Sequence, residues 1–295
     1  MPERIAGGQS LSHGGEVLRI SLLGGFRVSV DARAVPHEAW KRQSVRTLLK
    51  RLALAHGHRL HREQLYDWLW PDLSPAAADN NLRRTLHIAR HVLEPATASS
   101  FRFLRLEAGN VVLGPRGHLW IDVAAFEEAA REARLTGAAN AFARVRALYA
   151  GDLLPEDRFA EWTQGRRHAL RSTFLDVLGE QARRLEDLGS PEAAIETLRH
   201  LLRWEPGDED ARRRLMGLYA RTGRRQRALA EYSDLEHFLQ WQFDESPEAR
   251  TRQLHDSIRA GRCRRDDFDQ LPDTDALRPV GRTGDDRATL YRLSR

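Results

Sequence analysis

Apolar residues come in short runs near the start of the chain and in helical periods over most of the rest. Leu18 to Leu23 and Phe26 to Val30 are two apolar stretches parted by Gly24-Gly25, the pattern of two short strands. From Trp40 to Ala55 the period lengthens, with Trp40, Val45, Leu48, Leu49 and Leu52 on one side of a helix. A break at Gly57 precedes a second, short helix from Arg62 to Trp70. The third segment, WPDLSPAAADNNLRRTLHIARHVL from Trp70 to Leu93, carries the clearest start signal: Ser74 as N-cap and Pro75 in the first turn. Leu82, Leu86, Ala89 and Leu93 then recur on one face. After Pro95 and a polar linker, Phe101 to Leu106 and Val111 to Leu113 flank Glu107-Ala108-Gly109-Asn110, which reads as a β-hairpin. Strands, three helices and a closing hairpin predict a winged helix-turn-helix. In that arrangement Leu65, Trp68 and Leu69 of the second helix pack beneath the third, with Leu82 and Leu86 facing back.

From Asp122 the pattern is helical, with small apolar residues and no strand signal. Helices are expected over Asp122 to Leu135, Ala138 to Tyr149 and about Phe159 to Leu188. Leu185, Leu188, Gly189, Ala194 and Leu198 return as Tyr219, Thr222, Gly223, Ala228 and Tyr232, each displaced by 34 positions. That is the period of a tetratricopeptide helix pair, and stacked pairs make a concave surface for proteins or peptides. Two coincidental helical hairpins are the plainer alternative. Ser190-Pro191 and Pro206-Gly207-Asp208 supply the stop and start signals between helices. The expected fold is mainly α with a small β component. A winged helix-turn-helix over 17–121 precedes an all-α tetratricopeptide-like repeat domain over 122–261, between a disordered leader (1–16) and a flexible tail (262–295).

An advance of about 100° per residue puts Asn80, Arg84, His87 and His91 opposite the apolar stripe of the third helix. Asn pairs bidentately with adenine, Arg with guanine, and His donates or accepts, so this face carries major-groove chemistry. Arg62, Arg83 and Arg90 flank the row and suit phosphate contacts, and Arg102 and Arg105 in the hairpin could reach backbone or minor groove. For each arginine, and for the row itself, an ordinary solvated surface is the competing reading. Charge distribution favours a polyanionic partner. Residues 1–121 hold 17 Lys and Arg against 10 Asp and Glu, a net +7, and eight of the 12 histidines; residues 122–295 hold 30 against 32, a net −2.

Other chemistries find little support. A single cysteine, Cys263, allows no intrachain disulfide, and neither a signal peptide nor a membrane-length apolar run is present. A cytoplasmic, nucleoid-associated protein without membrane contact is expected. His56, His58 and His61 straddle a helix break without nearby Cys or carboxylate partners, so no metal site is expected. The chain has no H-E-x-x-H, no G-x-S-x-G and no phosphate-cradling G-x-x-x-x-G-K-[ST], which points to no enzyme, no ATP binding and no cofactor.

Long stretches of the chain resemble bacterial transcriptional regulators of the SARP type, which join a winged-helix DNA-binding domain to a bacterial transcriptional activation domain of tetratricopeptide-like helices. LRISLLGGFRV is similar to the opening strands, KRQSVRTLLKRLAL to the first helix, HREQLYDWLWPDLSPAAADNNLRRTLHIARHVLEP to the second and recognition helices, and VVLGPRGHLWIDVAAFE to the wing exit and domain junction. YAGDLLPEDRFAEWTQGRRHAL, LMGLYARTGRRQRALAEY and FDESPEARTRQLHDSI resemble segments of the activation domain. The resemblance implies a sequence-specific activator that binds double-stranded promoter DNA, with a homodimer on direct repeats, and contacts RNA polymerase holoenzyme or itself through the helical domain. It places Asn80, Asn81, Arg84, His87 and His91 on the helix expected to enter the major groove. Larger relatives continue into a nucleotide-binding domain near Arg262, which suggests a short two-domain form or a truncated remnant. The rival reading is a protein-interaction scaffold whose winged helix is a docking module; a scaffold has no need of the polar row or of the basic bias.

Overall fold

The structure is a computed structural model that describes residues 17–94, 102–114 and 119–262. The expected disordered leader, Phe101 of the hairpin, and the tail with Cys263 lie outside the described residues. The chain folds into two compact units, one through Glu205 and one from Pro206.

The first unit opens with β1 (Leu18–Ser21), β2 (Arg27–Val30) and β3 (Arg33–Val35), then α1 (Gln43–Leu54), β4 (Arg59–His61), α2 (Arg62–Leu69) and α3 (Pro75–Leu93). The hairpin follows as β5 (Leu104–Glu107) and β6 (Asn110–Leu113), and then β7 (Leu119–Ile121). Among the described residues these strands make two sheets, one in the order β3-β2-β1-β7 and one in the order β4-β6-β5. In β1, Leu18 and Ile20 are fully buried while Arg19 between them is exposed, so one face closes on the core and the other meets solvent. Strands β1 and β2 are antiparallel, with Leu18 opposite Val30, and β7 lies parallel to β1, with Ile121 opposite Ile20. The hairpin turn is tighter than the four residues expected. Ala108 and Gly109 alone connect β5 to β6, both at positive φ (47° and 80°), the conformation whose twist matches the flanking strands.

Helix α1 starts at Gln43, later than expected, because residues 37–39 form a short 3-10 turn; Trp40 beyond it is still buried. Leu65 of α2 is fully buried, as the pattern required, and Leu69 is half-buried. Trp68 does not pack beneath α3. It is 43% exposed, and its ring lies under the Arg51 guanidinium of α1, 4.2 Å from ring centroid to carbon.

Four helices complete this unit: α4 (Asp122–Thr136), α5 (Ala139–Leu148), α6 (Glu161–Asp187) and α7 (Pro191–Trp204). Their shared core is aromatic. Tyr149 stacks on Phe174 at 4.1 Å, Trp204 meets both rings edge-on, and Phe126 closes the group. Burial, reinforced by the hydrogen bond to Asp152, raises the pKa of the Tyr149 hydroxyl and keeps it protonated.

The N-terminal sheet is clasped to this helical part. The Asp122 carboxylate at the start of α4 accepts the backbone N–H of Leu22 (2.8 Å), Leu23 (2.9 Å) and Val123 (2.8 Å). Gly24 N–H donates to Asp152 O at 3.0 Å, and Leu154 N–H to Leu22 O at 2.9 Å. A Cβ built on Gly151 would stand 2.8 Å from the Gly24 Cα, so two backbones cross here with no room for a side chain. Lys50, 4% exposed, reaches from α1 to Glu156 at 2.8 Å and Asp157 at 2.7 Å.

The second unit contains α8 (Glu209–Arg221), α9 (Arg225–Phe243) and α10 (Ala249–Arg259). Asp208 caps α8 by accepting from Ala211 N–H at 2.9 Å. Glu209 in turn accepts the backbone N–H of Glu248 at 3.0 Å, at the mouth of α10.

The 34-residue repeat is visible in the backbone. Helix α6 ends at Gly189 (φ 67°), where Ser190 N–H returns to Leu185 O at 2.8 Å; α8 ends at Gly223 (φ 76°), where Arg224 N–H returns to Tyr219 O at 2.7 Å. Both ends are the same left-handed cap, which glycine adopts without a Cβ penalty. Ala194 and Ala228, at equivalent places on the following helices, are both fully buried.

Candidate nucleic-acid interface

Helix α3 forms where the start signal put it. Ser74 Oγ accepts from Ala77 N–H at 3.4 Å, Pro75 occupies the first turn, and Ala78, Leu82, Thr85, Leu86, Ala89 and Leu93 are buried. Asn80, Arg84, His87 and His91 stand exposed on the opposite face, and Asn81 is half-buried at its margin. The His87 and His91 rings lie 4.1 Å apart at 45°, and His91 Nδ1 donates to the His87 carbonyl at 2.9 Å. Four side chains with amide, guanidinium and imidazole groups therefore share one open face about three turns long.

Neighbouring elements hold that face in place. The Tyr66 hydroxyl of α2 donates to Asp79 at 2.6 Å, and Arg83 Nε donates to the same carboxylate at 2.8 Å. The bonds from Tyr66 and then Arg83 hold the Asp79 carboxyl below its usual range. Wing and α2 are tied as well: Arg62 N–H donates to Gly109 O at 2.9 Å, and β4 pairs with β6. His61 caps α2 reciprocally with Gln64.

The arginines expected to flank the row fall into two groups. Arg62 and Arg83 are exposed, with Arg83 ion-paired to Asp79 and its side chain 71% accessible. Arg90 and Arg102 are half-buried and fasten α3 to the wing. Arg90 Nε donates to Leu104 O at 3.0 Å, and Arg102 N–H donates to Glu94, a carboxylate sealed at the end of α3. Arg105 lies 3.4 Å from Glu107 on the same strand. Sequence reasoning missed β4, whose Arg59 is exposed beside the wing; three residues, RLH, are too few to show alternation. His56, His58 and His61 make no cluster, and no group of three or more metal-ligating side chains occurs among the described residues. No described helix is long and apolar enough to cross a membrane.

Residues 121–259 match the family described as the bacterial transcriptional activator domain. The matched residues make up a little under half of the chain. Among solved structures it is similar to Mycobacterium tuberculosis EmbR in complex with a low-affinity phosphopeptide, with a TM-score of 0.63 and 20% identity. The likeness covers 85% of this chain and 67% of the EmbR chain, and shows a shared fold. A search of curated proteins found no match.

Proposed function

We propose that the chain is a sequence-specific activator that reads promoter DNA with α3. Asn80, Arg84, His87 and His91 contact base edges in the major groove, with Asn81 at the margin. Arg62 and Arg83 contact phosphates, and Arg105 brings the wing to the adjacent backbone. The winged helix, 17–121, supplies the DNA contact; the activator domain, 122–261, engages RNA polymerase holoenzyme or a second copy on a direct repeat. The protein acts in the cytoplasm at the nucleoid. The open polar face of α3 carries this reading, because a helix that only braced a scaffold would gain nothing by collecting base-reading groups on one side.

Selection of duplexes from a random library by the full chain tests it. An enriched motif, bound about a thousandfold or more tighter than unrelated duplex at the same salt, is the expected result. Enrichment of nothing, with equal binding to every sequence or none, would sink the proposal and favour a protein-docking role.

A further inference from the structure

Arg51 occupies an unusual position. Its guanidinium carbon lies 4.2 Å from the ring centroid of Trp68 on α2 and 4.6 Å from that of Trp162, the second residue of α6. Its Nε is sealed from solvent, and among the described residues no acceptor lies within hydrogen-bond reach. A guanidinium is planar and weakly hydrated, and aromatic faces can replace the water it loses. Two such faces flank this one.

The adjacent residue strengthens the pattern. Lys50 spends its charge on Glu156 and Asp157, so two consecutive cations of α1 reach residues 156–162. Lys50 also lies over the Phe26 ring, whereas Arg51 reaches Trp68 of α2. Trp68 is 43% exposed, and the Arg51 guanidinium covers its ring at 4.2 Å. From Trp68 the connection runs along α2 to Tyr66, whose hydroxyl holds Asp79 on α3.

We infer that Arg51 is a positioning residue: stacked between Trp68 and Trp162, it couples the first turn of α6 in the activator domain to α2, and so sets the stance of the DNA-reading helix. Displacing Trp162 releases one face of the cation, loosens Trp68, and changes how firmly α2 braces α3. The coupling to DNA rests on the proposed function above; the coupling between α6 and α2 does not.

Hydrogen exchange of the full chain tests the mechanical part. In Trp162→Ala the amides of α2 should exchange about two- to thirtyfold faster, the range expected for losing one cation–π face, with α8 to α10 unchanged. Arg51→Leu keeps an apolar stem and removes the cation; it should produce the same loosening, and the double variant should add little to either. Trp162→Phe, which retains a ring, should lie near wild type. Unchanged α2 exchange in Trp162→Ala, or effects that simply add in the double variant, would overturn the inference. On a selected duplex, Trp162→Ala should also weaken binding severalfold although Trp162 lies on no DNA-facing element; full affinity there would refute the link to α3. If wild type binds no duplex, the functional reading falls while the exchange experiment still decides the coupling.

Discussion

Asp122 holds Leu22, a hundred residues earlier in the chain, by accepting its backbone amide on both carboxylate oxygens, at 2.9 and 2.8 Å. The same group takes the amides of Leu23 and Val123. It is 4% exposed; burial pushes its pKa up, against the amides, which favour the charged form. Asp122→Ala would leave three buried N–H groups without an acceptor. A loss of about 3 kcal/mol or more is expected from unsatisfied donors alone. Asp122→Asn should cost nearly as much, since half of its amide turns a donor toward donors. Denaturant midpoints measure both, and a loss below about 1 kcal/mol would show that this carboxylate is not the clasp.

Arg84 stands midway along the open face of α3. Arg84→Ala should lower affinity for a selected site by about 1 to 3 kcal/mol and leave binding to unrelated duplex nearly intact. Equal losses on both would identify Arg84 as a phosphate contact.

Arg62 and Arg90 should separate cleanly. Arg62 is exposed, so Arg62→Ala should reduce the slope of log affinity against log salt by about one, with little effect on folding. Arg90 gives its Nε to Leu104 O, so Arg90→Ala should lower stability by about 1 kcal/mol or more, with the slope less affected. Titrations at several salt concentrations, paired with urea unfolding, distinguish the two.

His200 supplies a pH dependence. Burial first, then the positive charges of Arg203 and Arg146, lower its pKa below the usual 6.5. The folded protein therefore binds fewer protons at this site than the unfolded chain. Its contribution to stability is present above 6.5 and is lost as pH falls through the lower folded value. His200→Gln should narrow the difference in unfolding midpoint between about pH 7.5 and pH 5.5; an unchanged difference would place the acid sensitivity elsewhere.

Much of this arrangement was legible in the chain. Ser74, Pro75 and an unbroken helical period announced α3, and Gly189 and Gly223, 34 positions apart, announced two identical helix ends. What escaped depends on distant partners. Trp68 looked like a core residue of α2 because its spacing fits one, but its contact is Arg51, which also meets Trp162, far away in sequence. Arg90 and Arg102 looked like surface cations, and only the fold brings Leu104 O and Glu94 to them. Strands β4 and β7 are three residues each and become strands by pairing with β6 and β1.

The glycine crossing at Gly24 and Gly151 bears on how the protein could be cut or recombined. A fragment ending at Ile121 would strip the Leu22 and Leu23 amides of Asp122, the Gly24 amide of Asp152 and the Lys50 ammonium of both its carboxylates. Transplanting the N-terminal strands and helices onto another protein thus means carrying the chain at least through Asp157, so that the transplanted piece brings its own counterpart surface with it.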